Sequence, residues 1–424
     1  MQEYLLTQNG APLVKRRAEL TFKHNVVRGR HGWLRLTAAY SVKVVEDILA
    51  SKSGCLHILD PFSGTGTTAL CAAMRGRHAV ALEINPFLVW FANSKVASYE
   101  SVVLSRVEAI ARQIASAIKD KKVAPANPPP ISNIGRWWAP AELDFLCRLM
   151  GALRALAPDQ EPARDLLLIA FCRIMIALSN AAFNHQSMSF RDTKTSSGTS
   201  QRLLPFAQVG DGFESHFLDE VAFVLAGAAE NPIAPATVLL ADSRKVPMVF
   251  QDGVDLLITS PPYPNRISYT RELRPHMYWL GFLNDSREAG ELDWRAIGGT
   301  WGVATSRVQS WTKRPDSYLP PYLQALMDSI RSSDAKSGEI LSRYVGKYFE
   351  DIWDHLASVM RVMKPGAEMH YVVGNSKFYD VLIPAERIYR DMLLEAGASH
   401  VEIIPLRKRN SKKELVEFNV VATV

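Results

Sequence analysis

Two short apolar runs, each followed by a loop of unusual composition, constrain the fold of this chain more than any other feature. The first run covers 55–62 (CLHILDPF) and leads into SGTGTT at 63–68. The second is Val254–Thr259 (VDLLIT), which leads into Ser-Pro-Pro-Tyr at 260–263. Parallel strands that are buried on both faces are continuously apolar rather than alternating. The two runs therefore predict parallel strands of one sheet.

Strands and helices alternate around these two runs, which is typical of an open α/β sheet. The further predicted elements are strands at 79–83, 237–241 and 369–373, helices at 69–74 and 348–363, and two strands within 401–424 around a basic turn. Lys-Pro-Gly at 364–366 is expected to end the helix at 348–363.

Two long segments interrupt the alternating pattern. Residues 98–235 look mainly helical, and the apolar faces of helices at 143–156 and 165–182 predict core packing. Residues 264–346 are rich in arginine and aromatic side chains. We therefore predict one α/β domain assembled from 1–97, 236–263 and 347–424, interrupted by a helical insertion at 98–235 and a second insertion at 264–346.

The cysteine pattern and the lack of a long apolar run argue against a zinc-stabilised, a secreted and a membrane-spanning protein, and the net charge bears on possible partners. Lys and Arg number 49 against 43 Asp and Glu, and the net charge of +6 permits a polyanionic partner without establishing one. The four cysteines form no Cys-x-x-Cys pair, so we expect no structural zinc and a reducing compartment. The chain shows no secretory signal and no apolar run of membrane-spanning length, which predicts a cytoplasmic protein.

The glycine-rich loop after the first run has the composition of a nucleoside-binding turn. Gly64 and Gly66 allow a ligand to approach the backbone, and the following helix offers free N–H groups. The loop contains no lysine, which excludes a P-loop, and it lacks the third glycine of a dinucleotide fingerprint. Glu83 ends the next strand, where an acid can accept hydrogen bonds from both ribose hydroxyls. The alternative is a plain glycine-rich turn followed by a chance acid.

The Ser-Pro-Pro-Tyr loop forms a stiff corner at the end of the second run. Such a corner can direct the Ser260 hydroxyl and the Pro261 carbonyl at one point, with the flat ring of Tyr263 beside them. Two acceptors and an aromatic face suit a planar base that carries an exocyclic NH₂ group. The alternative is a proline pair that only ends a strand.

The order of these motifs resembles the amino-group DNA methyltransferases that use S-adenosyl-L-methionine. The similarity covers DPFSGTGTT, Glu83, LLADSRKVP and DLLITSPPY, and it extends upstream to 31–49 and downstream to VMKPGAEMHYVVGNS and RKRN. The Ser-Pro-Pro-Tyr form is the one found mostly in cytosine-N4 enzymes. The resemblance implies a Rossmann-like class I methyltransferase sheet with helices on both faces plus largely helical insertions. It also implies duplex DNA as the substrate.

The resemblance also assigns roles to residues. Asp242 matches the position that hydrogen-bonds the amino group of the cofactor's adenine. Ala38-Ala39-Tyr40 departs from the proline-containing form of its segment. The implied cofactor-binding residues are Tyr40, Asp60, Phe62, Gly64, Gly66, Thr67, Glu83 and Asp242. The implied catalytic loop is Ser260, Pro261, Pro262 and Tyr263.

The implied chemistry concerns the weak nucleophilicity of the exocyclic nitrogen, whose lone pair is delocalised into the ring. Hydrogen bonds from both N–H groups to Ser260 and the Pro261 carbonyl would favour a pyramidal nitrogen and free the lone pair for attack on the sulfonium methyl. The target base must leave the helix stack to reach such a pocket. A carbon-5 cytosine enzyme needs a nucleophilic cysteine, usually after proline, and no cysteine here follows proline.

Other functions stay open at this point. They are an adenine-N6 DNA methyltransferase, an RNA guanine-N2 methyltransferase, a protein glutamine methyltransferase and a nucleic-acid-binding module with a decayed cofactor site. The RNA and protein enzymes usually carry Asp or Asn where this chain has Ser260. A restriction-modification or related defence system is the expected setting, in which a cognate endonuclease would be a partner. The expected oligomeric state is a monomer.

Basic residues predict where DNA is bound. Arg266 and Arg271 follow the catalytic loop closely, and the second insertion is therefore a candidate for target recognition. Arg191 lies in a hydroxyl-rich loop, and Arg407 and Arg409 begin the basic turn of the tail. In each case the alternative is a solvated loop. Two tryptophans of the second insertion, at 301 and 311, could fill the gap left by a flipped base, but core packing is the commoner role.

Overall fold

A computed structural model describes most of the chain. The described residues are 14–36, 39–54, 57–157, 159, 162–182, 189–190, 212–300, 303–409 and 414–424. Their strands are β1 His57–Asp60, β2 His78–Glu83, β3 Ala181–Ala182, β4 Ser189–Phe190, β5 Ala236–Leu240, β6 Val254–Thr259, β7 Met363–Gly374, β8 Ser376–Phe378, β9 Val381–Ile383, β10 His400–Lys408 and β11 Val416–Thr423.

The helices of the described residues follow the same chain order. They are α1 Val42–Ser51, α2 Thr67–Ala73, α3 Pro86–Val96, α4 Ser101–Lys119, α5 Ile134–Trp137, α6 Pro140–Leu156, α7 Pro162–Ala177, α8 Phe213–Ala228, α9 Tyr269–Trp279, α10 Ser286–Arg295, α11 Val303–Gln309, α12 Pro321–Ser333, α13 Gly338–Met360 and α14 Ala385–Glu395. Short 3-10 turns lie at Ala18–Leu20, Phe22–Val27, Gly29–Gly32 and Ser243–Lys245.

A seven-stranded sheet organises the fold, with the strand order β10-β11-β7-β6-β1-β2-β5. The pairings between β5, β2, β1, β6 and β7 are parallel, and β11 lies antiparallel between β7 and β10. This confirms the predicted Rossmann-like α/β sheet. It also brings the carboxyl ends of β1, β2, β5 and β6 to one edge, because parallel strands end on the same side.

Helices cover both faces of the sheet, as the continuous apolar runs predict. Successive side chains of a strand point to opposite faces. Ile58 packs with α1, α2 and α3, whereas the next residue, Leu59, packs with α13 and α14. Leu256 and Leu257 divide between the same two clusters. Each central strand therefore buries both of its rows of side chains.

The segment between β2 and β5 builds a separate hydrophobic cluster. Apolar faces of α4, α6, α7 and α8 pack with one face of α3 and with α9. The helices predicted at 143–156 and 165–182 are therefore buried, although the second ends at Ala177 and Ala181–Ala182 is a short strand. The limits of the two insertions stay a prediction.

The prediction that Lys-Pro-Gly ends a helix at 348–363 is wrong. Helix α13 starts ten residues earlier than predicted, at Gly338, and ends at Met360, while Lys364-Pro365-Gly366 lies inside β7. The β6–β7 pairing shifts register there, from Val254–Met363 to Leu256–Glu368. Gly366 has a φ of 77°. The tripeptide therefore forms an irregularity in the strand, where the missing N–H of proline is tolerated.

No helix within the described residues is both long enough and apolar enough to cross a membrane.

Candidate active site

The end of β1 and the end of β6 are joined directly at the carboxyl edge of the sheet. Asp60 is the last residue of β1, and Thr259 is the last residue of β6. The hydroxyl Oγ1 of Thr259 donates to Oδ1 of Asp60 over 2.6 Å. The glycine loop after Asp60 and the Ser-Pro-Pro-Tyr loop after Thr259 therefore start side by side.

The glycine loop needs glycine at two positions for different reasons. Gly64 and Gly66 have φ values of 50° and 75°, a region that L-residues rarely adopt. A Cβ atom on Gly66 would also lie 2.9 Å from the Cβ of Ala92 in α3. A Cβ on Gly64 would have no neighbour within 4 Å. Gly66 thus lets α2 start close to α3, while Gly64 leaves open space beside the loop.

Glu83 is held by the backbone on both of its carboxylate oxygens. Oε2 accepts the N–H of Gly64 over 2.9 Å, and Oε1 accepts the N–H of Asn85 over 2.9 Å. Burial raises the pKa of Glu83 to about 7. Each oxygen keeps a second lone pair, so the ionised carboxylate can accept two more donors, as a ribose with two hydroxyls requires.

Asp60 offers an unused acceptor beside the same loop. Its Oδ1 accepts from Thr259 and from the N–H of Phe62, at 2.6 and 3.1 Å. Its Oδ2 is buried and has no hydrogen-bond partner among the described residues, and the same holds for Oγ of Ser63. Burial raises the pKa of Asp60 to about 6. These orphaned polar atoms fit a ligand that brings hydroxyl or ammonium donors to the loop, as S-adenosyl-L-methionine does.

Tyr40 and Thr67 both lie at the start of α2, and their contact with a cofactor stays a prediction. The Tyr40 hydroxyl hydrogen-bonds Oγ1 of Thr68, in the first turn of α2. Burial raises the pKa of Tyr40 well above its usual value, so the phenol stays protonated. Thr67 is the buried first residue of α2, with its Oγ1 3.3 Å from Oγ1 of Thr65.

At the predicted end of the site for the cofactor's adenine, Asp242 is held by Arg244. Asp242 accepts the N–H of Arg244 over 3.0 Å and pairs with the guanidinium group of Arg244 over 2.7 Å. Burial opposes ionisation of Asp242, but the Arg244 contacts outweigh it and lower the pKa of this carboxyl. The ring of Phe62 lies 4.6 Å from the ring of His355. Contact of Asp242 with the amino group of the cofactor's adenine stays a prediction.

Sequence reasoning missed two buried residues that support this site. Lys95 of α3 donates from Nζ to the Thr65 carbonyl over 2.7 Å, beneath the glycine loop, and burial lowers the pKa of Lys95 to about 7. His355 bonds the Ser243 carbonyl and the Tyr371 hydroxyl at 3.1 and 3.0 Å. The available signals were a lysine in the mostly apolar PFLVWFANSKV and a histidine on the apolar side of α13.

The Ser-Pro-Pro-Tyr loop is fixed at three points. The Ser260 hydroxyl donates to the Val372 carbonyl of β7 over 3.0 Å. The Tyr348 hydroxyl donates to the Pro262 carbonyl over 2.7 Å, and Pro261 between them is buried. The Tyr263 hydroxyl donates to Oε1 of Glu417 over 2.7 Å. Because the Ser260 proton is used by Val372, the Ser260 oxygen is left as an acceptor.

The predicted DNA-contacting arginines have different surroundings. Arg266 and Arg271 are exposed, and their backbone N–H groups donate to the Tyr344 hydroxyl and to Oγ of Ser268 over 3.1 and 3.2 Å. Arg407 forms two hydrogen bonds to Glu417, and the Arg409 guanidinium lies 4.8 Å from the centre of the Tyr263 ring. Arg191 lies outside the described residues.

The two tryptophans also differ. Trp301 lies outside the described residues. Trp311 donates from Nε1 to Glu350 over 3.0 Å, and its ring would lie 2.4 Å from a Cβ added to Gly346. Trp311 therefore packs against α13, which agrees with the core-packing alternative.

The fold and the arrangement of the loops define a Rossmann-like α/β protein in which the glycine loop and the Ser-Pro-Pro-Tyr loop meet at the carboxyl edge of the sheet. No protein-family model matches the chain. Curated proteins of similar sequence are methyltransferases. The type II methyltransferase M.BsoBI of Geobacillus stearothermophilus is 22% identical over 448 residues, which cover 95% of this chain and 86% of that protein.

Further relatives carry the same description. The type II methyltransferase M.MvaI of Kocuria varians is 21% identical, covering 81% of this chain and 75% of that protein. The type II methyltransferase M.AvaI of Nostoc sp. is also 21% identical, covering 93% and 85%. These similarities support a DNA methyltransferase family for this chain.

One solved structure, TrmN from Thermus thermophilus, is 10% identical and aligns with 98% of this chain and 56% of its own. Its TM-score of 0.29 is too low to support an argument.

Proposed function

We propose that this chain is a site-specific DNA methyltransferase that moves the methyl group of S-adenosyl-L-methionine to the exocyclic N4 of a cytosine flipped out of duplex DNA. The observation that carries the proposal is the Thr259–Asp60 hydrogen bond of 2.6 Å. It joins the strand that ends in Ser-Pro-Pro-Tyr to the strand that ends in the glycine loop. A base held by the first loop therefore lies next to a cofactor held by the second.

The cofactor half of the proposal rests on the donors and acceptors of the glycine loop. Glu83 offers two acceptors for the ribose hydroxyls, and the unpaired Oδ2 of Asp60 offers another acceptor. Gly64 leaves room for close approach. Bound S-adenosyl-L-methionine supplies an electrophilic methyl group on a sulfonium centre.

The base half rests on the state of Ser260. The Ser260 hydroxyl donates to Val372, so its oxygen can accept a hydrogen from an exocyclic amino group. The Pro261 carbonyl can accept the other hydrogen, and the Tyr348 contact to Pro262 keeps the corner in place. With both N–H bonds held, the nitrogen lone pair would leave conjugation with the ring and bond to the methyl carbon as the carbon–sulfur bond breaks and the neutral thioether leaves. The positively charged methylated nitrogen would then lose one of its two protons to solvent.

Cytosine is preferred over adenine in this proposal because of the serine at 260, which the resemblance associates with cytosine-N4 enzymes. Adenine-N6 transfer is the second candidate, since the same two acceptors would also hold an adenine amino group. The type II methyltransferases among the relatives favour a restriction-modification system, a cytoplasmic location and an endonuclease of matching specificity as a partner.

Exposed arginines extend the proposal to the DNA backbone. Arg266 and Arg271 are exposed a few residues beyond the catalytic loop, where phosphates of the target strand would pass. Arg191 belongs to the same proposal on sequence grounds alone.

The experiment is a single-turnover methyl-transfer assay with saturating cofactor and DNA. Ser260→Ala should slow the transfer step by about ten- to a hundred-fold, because one N–H of the base is left without its acceptor at a cost of about 1–3 kcal/mol, while cofactor and DNA affinities change little. Ser329→Ala, on the exposed side of α12, is the matched control and should transfer at the wild-type rate. Transfer by Ser260→Ala at the wild-type rate would remove this loop from the mechanism.

A further inference from the structure

We propose that Glu417, Arg407 and Arg409 are positioning residues that hold the Tyr263 ring in the orientation that stacks on the target base. The inference rests on the proposed function for the role of Tyr263, and it gives Arg407 and Arg409 a task other than binding DNA phosphates. It is carried by one cluster of contacts at the carboxyl edge of the sheet.

The sheet topology brings this cluster together from distant parts of the chain. Strand β7 lies between β6 and β11, and Gly374 at the end of β7 pairs in register with Glu417 of β11. Because β11 is antiparallel, its start lies at the edge where β6 ends. Tyr263 therefore reaches from the loop after β6 across Gly374 to Glu417.

Glu417 fixes the hydroxyl end of the ring. Its side chain is buried, with 5% exposure, and Oε1 accepts the Tyr263 hydroxyl over 2.7 Å. Arg407 donates to both oxygens of the same carboxylate, over 2.7 and 3.1 Å. A buried carboxylate without a cation would be costly, so Arg407 is what allows an ionised acceptor at this point. A hydrogen bond to an ionised acceptor is stronger and more directional than a neutral one.

Arg409 fixes the ring from another side. Its guanidinium carbon lies over the Tyr263 ring, 4.8 Å from the ring centre, and its Nη1 donates to the Asn375 carbonyl over 2.6 Å. A Cβ on Gly374 would lie 2.6 Å from Nη1 of Arg409 and 2.9 Å from Cε2 of Tyr263. Only glycine lets both groups meet above the end of β7. The proposal places the base on the face of the ring opposite Arg409.

Two interpretations of the arginines give different salt dependences. If Arg407 and Arg409 contacted phosphates, each neutral variant would lower the slope of log affinity against log salt by about 0.9. We expect Arg407→Gln and Arg409→Gln to leave that slope unchanged. A decrease of this size for either variant would overturn the proposal for that residue.

A double-mutant cycle tests the proposed action through the Tyr263 hydroxyl. Tyr263→Phe and Glu417→Ala should each slow single-turnover transfer by about ten-fold, since a hydrogen bond to a charged group is lost. Glu417→Ala should have no further effect in the Tyr263→Phe background, and Glu417→Gln, which keeps an acceptor, should recover most of the rate. An equal loss from Glu417→Ala in both backgrounds would overturn the inference.

A measurement without DNA or cofactor separates this inference from the proposed function. The protein is labelled with 3-fluorotyrosine, and the ¹⁹F line of Tyr263 is assigned by its absence in Tyr263→Phe. Glu417→Gln and Arg409→Lys should both move that line, whereas Glu402→Gln, an exposed charge-matched control on β10, should not. If the line moves in a protein that methylates no DNA, the proposed function fails and the ring contacts stand. If the line stays in place, the inference fails even where the enzyme is active.

Discussion

Affinity for S-adenosyl-L-methionine should depend on pH through Glu83. Burial raises the pKa of Glu83 to about 7, and only the ionised carboxylate can accept on all four of its lone pairs. The Gly64 and Asn85 N–H groups already use two of them. Protonation would turn one remaining acceptor into a donor that faces a ribose hydroxyl. Affinity should therefore rise with pH and level off above the pKa.

The size of the effect follows from the pKa of Glu83. At about pH 5.5 the pH lies about 1.5 units below the pKa of the Glu83 carboxyl. One unit is worth about 1.36 kcal/mol, so protonation should weaken binding by about 2 kcal/mol, or about thirty-fold in affinity. Glu83→Ala should lose at least ten-fold in affinity at about pH 8, because it removes charge-assisted hydrogen bonds worth about 1.5–3 kcal/mol. It should lose much less at the lower pH.

Isothermal titration calorimetry at both pH values, with the fold checked by circular dichroism, makes the comparison. Asp60 has a pKa raised to about 6 by burial and can add a smaller dependence at the acidic end. Affinity of the wild-type protein that is equal at the two pH values would refute the reasoning. So would a Glu83→Ala variant that keeps the full pH dependence.

Two further predictions concern the support of the glycine loop. Gly66→Ala combines a φ of 75° with a Cβ 2.9 Å from Ala92. It should therefore lower the free energy of unfolding by more than the cost of the backbone conformation alone, which is about 1–2 kcal/mol. Gly64→Ala, with a φ of 50° and open space around its Cβ, is the matched control, and equal losses for the two variants in urea unfolding would show that the α3 contact is unimportant. Burial lowers the pKa of Lys95 to about 7. Between about pH 7 and 10 the unfolded chain therefore binds a proton at this lysine that the folded chain does not. The free energy of unfolding should rise with pH over that range, by up to about 1.4 kcal/mol per pH unit. Lys95→Met should lose that rise in denaturant unfolding at several pH values, and an unchanged slope would contradict the assignment.

The central part of the fold could be predicted from sequence because burial on both faces leaves a plain signal. VDLLIT is apolar at four of its six positions, and it forms β6 with the predicted limits. The residues that end β1 and β2, Asp60 and Glu83, were predicted together as one site, because the carboxyl ends of parallel strands meet at one edge.

The errors and omissions arise where distant residues decide the local structure. Lys364-Pro365-Gly366 reads as a helix stop, yet the register shift of the β6–β7 pairing places it within a strand. The pairing of Arg407 with Glu417 depends on the register of β10 with β11. The contact of Glu417 with Tyr263 depends on the strand order as well. Neither pairing has a local sequence signature, so the sequence showed only a basic turn, and the DNA contacts of Arg407 and Arg409 stay a prediction.

The most direct test of the proposed function is to identify the methylated nucleoside. Plasmid DNA is incubated with the purified protein and S-adenosyl-L-methionine, digested to nucleosides and analysed by mass spectrometry, with Ser260→Ala as the negative control. The proposal predicts N4-methylcytosine in the wild-type sample and a strongly reduced amount with the variant. N6-methyladenine in its place would contradict the assignment of the base, and the absence of any methylated nucleoside would contradict the proposed activity on duplex DNA.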